Sequence, residues 1–105
     1  MEKSVKTFAL VPDDGHKSFN RKATVKEYTD MNGIEVKELK SYDTVVCVIE
    51  IIDDKPRFNR TWSNYSATTL RHVNAFLKLY DCPEAKKHGL SKQSWNSLPV
   101  VRNKH

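Results

Sequence analysis

Up to about residue 62 the apolar side chains of this chain tend to alternate with polar ones. Beyond residue 66 they return every third or fourth position, so a strand-forming part is followed by a helix-forming part. Phe8-Ala9-Leu10-Val11, closed by Pro12 and Asp13-Asp14-Gly15, makes residues 1–17 a leader or a short edge strand. From Phe19 onward, Ala23, Val25 and Tyr28 interleave with Lys22, Thr24 and Lys26, the pattern of a half-exposed strand. Asp30-Met31-Asn32-Gly33 then supplies a tight hairpin turn, Asn and Gly both tolerating positive φ. Ile34, Val36, Leu39 and Tyr42 continue on the returning strand, and the phase slip between Val36 and Leu39 predicts a bulge. The most apolar run, Thr44 to Ile52, is rich in β-branched residues and predicts the central strand. Asp53-Asp54 turns the chain into a last strand from Lys55 to Trp62, with Phe58, Arg60 and Trp62 on one side and Arg57, Asn59 and Thr61 on the other. Pro56, which has no amide hydrogen to donate, marks that strand as an edge.

Residues 66–80 carry the helical part. The Ser66 hydroxyl is suited to accept an amide of the first turn, and Leu70, Val73, Phe76, Leu77 and Tyr80 form one apolar stripe. Asp81-Cys82-Pro83 ends this helix. A connector containing Lys86, Lys87, His88 and Gly89 leads to a short helix over 91–98, capped by Ser91, anchored by Trp95 and Leu98 and stopped by Pro99. The expected fold is therefore α+β in one domain over 1–105: an antiparallel meander of about four strands over 18–62, packed by one main α-helix, plus a short C-terminal helix.

Composition narrows the class. Over 105 residues, 38% are hydrophobic and 30% charged, which suits a globular domain with one core. No apolar run approaches the ~20 residues of a bilayer-spanning helix, and the first residues lack a signal-peptide core, so the expected location is the cytoplasm. Cys47 lies in the apolar run and Cys82 in what reads as an exposed loop, a setting for two reduced thiols. The net charge of +5 is unevenly spread, the residues after Asp54 being strongly basic. On the main helix Arg71 and Lys78 share the side away from the apolar stripe. Arg57, Arg60, Lys86, Lys87 and Lys92 are candidates to flank them, making a basic binding face with Trp62 and Tyr65 as possible aromatic contacts. The competing reading makes those two aromatics core residues at the strand-to-helix corner.

Catalytic and metal patterns are lacking. His16, His72, His88 and His105 have no zinc-ligand spacing, the three glycines stand apart, and Cys82 with His88 has no orienting third group. His72 reads as a boundary histidine bonded to backbone. No metal, cofactor or catalytic residue is expected, and the chain reads as a non-enzymatic protein.

Three blocks, Lys17 to Val25, Leu39 to Ile49 and Trp62 to Leu77, resemble small uncharacterised proteins encoded by phages, prophages and plasmids of Gram-positive bacteria. The segment Tyr65-Ser66-Ala67-Thr68-Thr69-Leu70-Arg71-His72-Val73, of the form Tyr-Ser-x-Thr-Thr-x-x-His-Val, carries most of that resemblance, whereas Asn20-Arg21 departs from the group's Tyr-Gly. The resemblance implies an accessory protein of a mobile element, a setting that includes anti-CRISPR inhibitors. It further implies a bacterial host cytoplasm and, as partner, a host protein such as a CRISPR effector nuclease or its nucleic acid. Two other readings stay open: a small DNA- or RNA-binding regulatory module, and a phage structural or assembly protein. A monomer and a homodimer are equally compatible with the sequence.

Overall fold

Five strands form one antiparallel sheet in chain order, short turns joining the last four: β1 (Lys6–Ala9), β2 (Ala23–Thr29), β3 (Glu35–Ser41), β4 (Thr44–Ile52) and β5 (Lys55–Arg60). They are followed by α1 (Ala67–Leu79), a single 3-10 turn (Pro83–Ala85) and α2 (Lys92–Ser97). This computed structural model describes residues 5–11, 22–85 and 89–102. The α+β class is as expected, with five strands rather than four. The additional strand is β1, which pairs with β2 from Lys6 opposite Glu27 to Ala9 opposite Thr24. The expected start of β2 before Lys22 and the basic connector at 86–88 lie outside the described residues.

Turn chemistry sets the registers. Asp53 and Asp54 both take positive φ (54° and 64°), which matches the twist of the two strands they join. The preceding hairpin is built differently from a two-residue Asn-Gly turn. Only Gly33 is left-handed, at φ 80°, and the Asp30 carboxylate accepts from the amides of Asn32 (2.9 Å) and Ile34 (3.0 Å). Tyr42, expected within a strand, instead occupies the β3–β4 turn at φ 57°. The bulge falls one step beyond the expected slip: Leu39 pairs with Cys47 and Lys40 with Val45, leaving Val46 as the extra residue on β4. Val46 therefore faces inward with Cys47's neighbours and is buried.

One face of the sheet supplies Ala23, Val25, Leu39, Val46, Cys47 and Ile49 to the core, against Val73, Phe76 and Leu77 of α1 and Trp95 of α2. Ser66 caps α1 as its sequence predicts, its hydroxyl accepting from the Thr69 amide at 3.0 Å. At the other end Asp81 takes φ 54°, its amide donates to the Lys78 carbonyl (3.1 Å), and the Cys82 amide donates to the Leu77 carbonyl (3.0 Å). That pair of bonds closes the helix and draws Cys82 onto Leu77, so Cys82 is buried rather than in an exposed loop. Among the described residues no helix is long and apolar enough to cross a membrane.

Candidate functional site

α1 buries Thr69, His72, Val73, Phe76 and Leu77 and leaves Arg71 and Lys78 exposed, seven residues apart and so on one side. α2 packs beside α1. The Asn74 side chain accepts from the Leu90 amide (2.7 Å) and donates to the Leu90 carbonyl (3.0 Å), fixing the segment that enters α2. Lys92, exposed at the start of α2, places its ammonium 5.2 Å from the centre of the half-buried Tyr65 ring. Neither α1 nor α2 contains an Asp or a Glu. The helical layer thus presents Arg71 and Lys78 on α1 and the Lys92–Tyr65 pair at the start of α2, on two helices that carry no carboxylate. Trp62 is half-buried against the core. Lys86 and Lys87 lie outside the described residues.

Two expected members do not belong to that face. Arg60 is only 4% exposed. It lies on the core side of β5, and its guanidinium donates to the carbonyls of Trp62 (2.8 Å), Trp95 (2.8 Å), Leu98 (3.2 Å) and Asn64 (3.4 Å). It also stacks 4.6 Å from the Trp95 ring centre. Arg60 therefore clamps α2 to the sheet edge, where the chain after α2 forms a parallel bridge from Val100 to Arg60. Arg57 is exposed but pairs with Glu50 and points to the opposite face of the sheet, because strand side chains alternate and its neighbour Phe58 packs on the core.

Most of the remaining polar groups inside the fold have partners, the exception among the described residues being Glu84 Oε1, which is buried without a hydrogen bond. His72 is 1% exposed and sits 2.8 Å through Nδ1 from the Ser41 hydroxyl, which in turn lies 2.9 Å from the Thr69 hydroxyl. A Ser–His contact is the beginning of a nucleophile, but both residues are buried and the contact instead ties the end of β3 to the first turn of α1. Burial, then the Arg71 and Lys22 charges, hold the His72 imidazole down at about 4, so it is neutral near pH 7. At the other end of α1 the Tyr80 hydroxyl donates to Glu27 (2.5 Å), and Lys37 reaches both Glu27 (3.4 Å) and Glu35 (2.6 Å). Burial works to raise the Glu27 carboxyl, yet the Tyr80 bond and the Lys37 ammonium leave it below the ordinary value. Burial, followed by the Glu84 and Asp81 charges, pushes the Cys82 thiol up to about 12, which silences it as a nucleophile at neutral pH. Among the described residues no group of three or more His, Cys, Asp or Glu side chains is placed to hold a metal ion.

The outer face of the sheet holds a recess of about 350 Å³ lined by Thr7, Thr24, Lys26, Glu38, Lys40 and Val45. Strand alternation marks Thr24 and Lys26 as sharing a side. The grouping itself needs the registers across β1 to β4, which single-strand patterns do not disclose.

Residues 10–97 match the model of DUF8033, a family of unknown function. The chain belongs to that family. The DUF8033 match runs from just after β1 to the last residue of α2 and so includes Arg57, Arg60, Arg71, Lys78 and Lys92. No curated protein and no solved structure matches the chain.

Proposed function

We propose that the protein is a non-enzymatic binding protein of a mobile genetic element, acting as an anti-CRISPR inhibitor that engages a CRISPR effector nuclease or its nucleic acid. The surface assigned to this role is the helical layer bearing Arg71, Lys78 and Lys92. The observation that carries the binding part is that Arg71 and Lys78 are exposed on one side of α1, two helical turns apart, and that neither α1 nor α2 contains a carboxylate. A predominantly cationic helix face attracts phosphate backbones or an acidic protein patch and speeds encounter with them. The anti-CRISPR part rests on the resemblance to small phage and plasmid proteins, and the buried Ser41–His72 contact is consistent with a role without catalysis.

The test combines capture of a purified effector nuclease, with and without guide RNA, and DNA and RNA binding followed by fluorescence anisotropy across a salt series. Nuclease capture that falls at least tenfold in the Arg71→Glu/Lys78→Glu double variant, with unchanged melting temperature, supports the proposal. Salt-sensitive nucleic-acid binding with no nuclease capture overturns the inhibitor reading and leaves the small DNA- or RNA-binding regulator. Binding that survives the double variant overturns the assignment of the surface.

A further inference from the structure

On the side of the sheet opposite the helices, the registers bring side chains of four strands into one patch. Thr7 of β1 pairs with Lys26 of β2, which pairs with Glu38 of β3; one row along, Thr24 of β2 pairs with Lys40 of β3, which pairs with Val45 of β4. Lys26 and Lys40 are therefore diagonal neighbours across β2 and β3. At the ~7–8 Å separation of such pairs, two flexible lysine side chains can converge on one group. The concavity follows from side-chain size: Thr7, Thr24 and Val45 are short, the two lysines that border them are long, and the Val46 bulge beside Val45 adds local twist.

The charges within the recess are not equivalent. Glu38 is 9% exposed and already accepts a 2.5 Å hydrogen bond from the Tyr28 hydroxyl, so its carboxylate belongs to the floor. Lys26 and Lys40 are exposed, and neither forms an ion pair with a described residue. Lys26 is held over the Tyr28 ring at 5.2 Å, which directs its stem along the sheet surface. The accessible chemistry is two ammonium groups with two threonine hydroxyls, the donor set for an anion with several acceptor oxygens. A recess of about 350 Å³ exceeds what a bare inorganic ion fills and lies at the small end of ligand-site volumes.

We infer that this recess binds a phosphate monoester of nucleotide size, Lys26 and Lys40 neutralising the phosphoryl oxygens and Thr7 and Thr24 donating to them. The site lies on the opposite face from Arg71, Lys78 and Lys92 and does not depend on the function proposed for them. One phosphoryl chemistry has two sources, a free mononucleotide and a 5′-phosphorylated end of a single strand.

Titration of the full chain with 5′-AMP, and separately with a 5′-phosphorylated and an unphosphorylated dT6 oligonucleotide, followed by 15N–1H spectra, tests the assignment. Expected are saturable shifts at Thr7, Thr24, Lys26 and Lys40 with the phosphorylated probes, weakened at least tenfold in Lys26→Gln/Lys40→Gln. Stronger response to AMP assigns a free nucleotide, and stronger response to the phosphorylated oligonucleotide assigns a strand end. Glu38→Gln, which retains an acceptor for Tyr28, should tighten binding about threefold by removing a like charge. Absence of shifts at these four residues with 10 mM 5′-AMP and with the oligonucleotide overturns the inference, as does equal binding by the double lysine variant or weaker binding by Glu38→Gln.

Discussion

Replacement of Arg60 by Met tests whether this side chain belongs to the fold rather than to the surface. The guanidinium serves four carbonyls, of which those of Trp62 and Trp95 lie at 2.8 Å. Met fills similar space without a donor. The Trp62 carbonyl, left without its described donor, costs ~1–3 kcal/mol, and the Trp95 carbonyl, which keeps the Leu98 amide at 3.1 Å, loses one charged hydrogen bond of ~1.5–3 kcal/mol. Loss of the stacking over the Trp95 ring, at 4.6 Å, removes a further ~0.5–2 kcal/mol. Releasing the desolvation cost of the guanidinium and gaining the thioether's apolar burial offset part of this, leaving a net loss of about 3 kcal/mol. For a chain of 105 residues that is a large share of a total near 5–15 kcal/mol and corresponds to a fall in Tm of roughly 12 °C or more. Thermal unfolding by circular dichroism measures the loss, and tryptophan fluorescence reports whether Trp95 is released first. Arg60→Lys, with a single nitrogen in place of the guanidinium fork, should fall between the two. An Arg60→Met protein melting within about 3 °C of the parent would show that the carbonyl clamp contributes nothing of this size.

The other expected outcomes concern the helix and its buried groups. Ser66→Ala should lower stability by ~1 kcal/mol in urea unfolding, and an unchanged midpoint would place no weight on the hydroxyl bond to Thr69. Phe76→Ala should cost ~3–5 kcal/mol through lost burial and a cavity, a loss under 1 kcal/mol meaning that the side chain is not enclosed by the sheet. His72 titrates at about 4 in the fold against 6.5 when exposed, so the unfolded chain takes up the proton first as pH falls. Its contribution is complete above about pH 6.5 and declines toward pH 4, by up to roughly 3 kcal/mol at ~1.4 kcal/mol per unit. Urea midpoints of the parent and His72→Gln compared across that range isolate this dependence, and parallel curves would refute it.

The elements were legible where local chemistry determines them. Ser66 as a cap, Asp53-Asp54 as a turn and Pro56 on an edge strand each follow from one or two residues and their backbone preferences. What escaped the sequence depends on contacts between distant segments. Arg60 has the composition of a surface residue, and only the approach of α2, more than thirty residues later, supplies the Trp95 and Leu98 carbonyls that draw its guanidinium inward. Cys82 follows a helix in a polar stretch, yet the two helix-ending bonds at Lys78 and Leu77 turn it into the core. His72 stands one position from the apolar stripe, and its burial follows from the Ser41 hydroxyl arriving from β3. The basic face was legible only for residues on one element: Arg71 and Lys78 share a helix side by periodicity, whereas the alternation along β5 does not by itself tell which side meets the helices, and that side buries Arg60 and turns Arg57 away.

The sheet therefore acts as a divider between two cationic surfaces of different construction. The helical layer presents Arg71, Lys78 and Lys92 on convex elements without a carboxylate, a form suited to an extended polyanion or protein patch. The far side sets Lys26 and Lys40 around a recess with Glu38 in its floor, a form suited to one compact anion. Even the shortest dimension of the molecule is 24 Å, about three Debye lengths at physiological ionic strength, so charges on one face scarcely alter the potential at the other. Substitutions on the two faces should accordingly be additive in any binding assay, and a rigid partner held by one face leaves the other accessible. A single ligand whose affinity responds non-additively to Lys26→Gln and Arg71→Gln would have to wrap around the β1 or β5 edge, and that result would replace two sites by one continuous path.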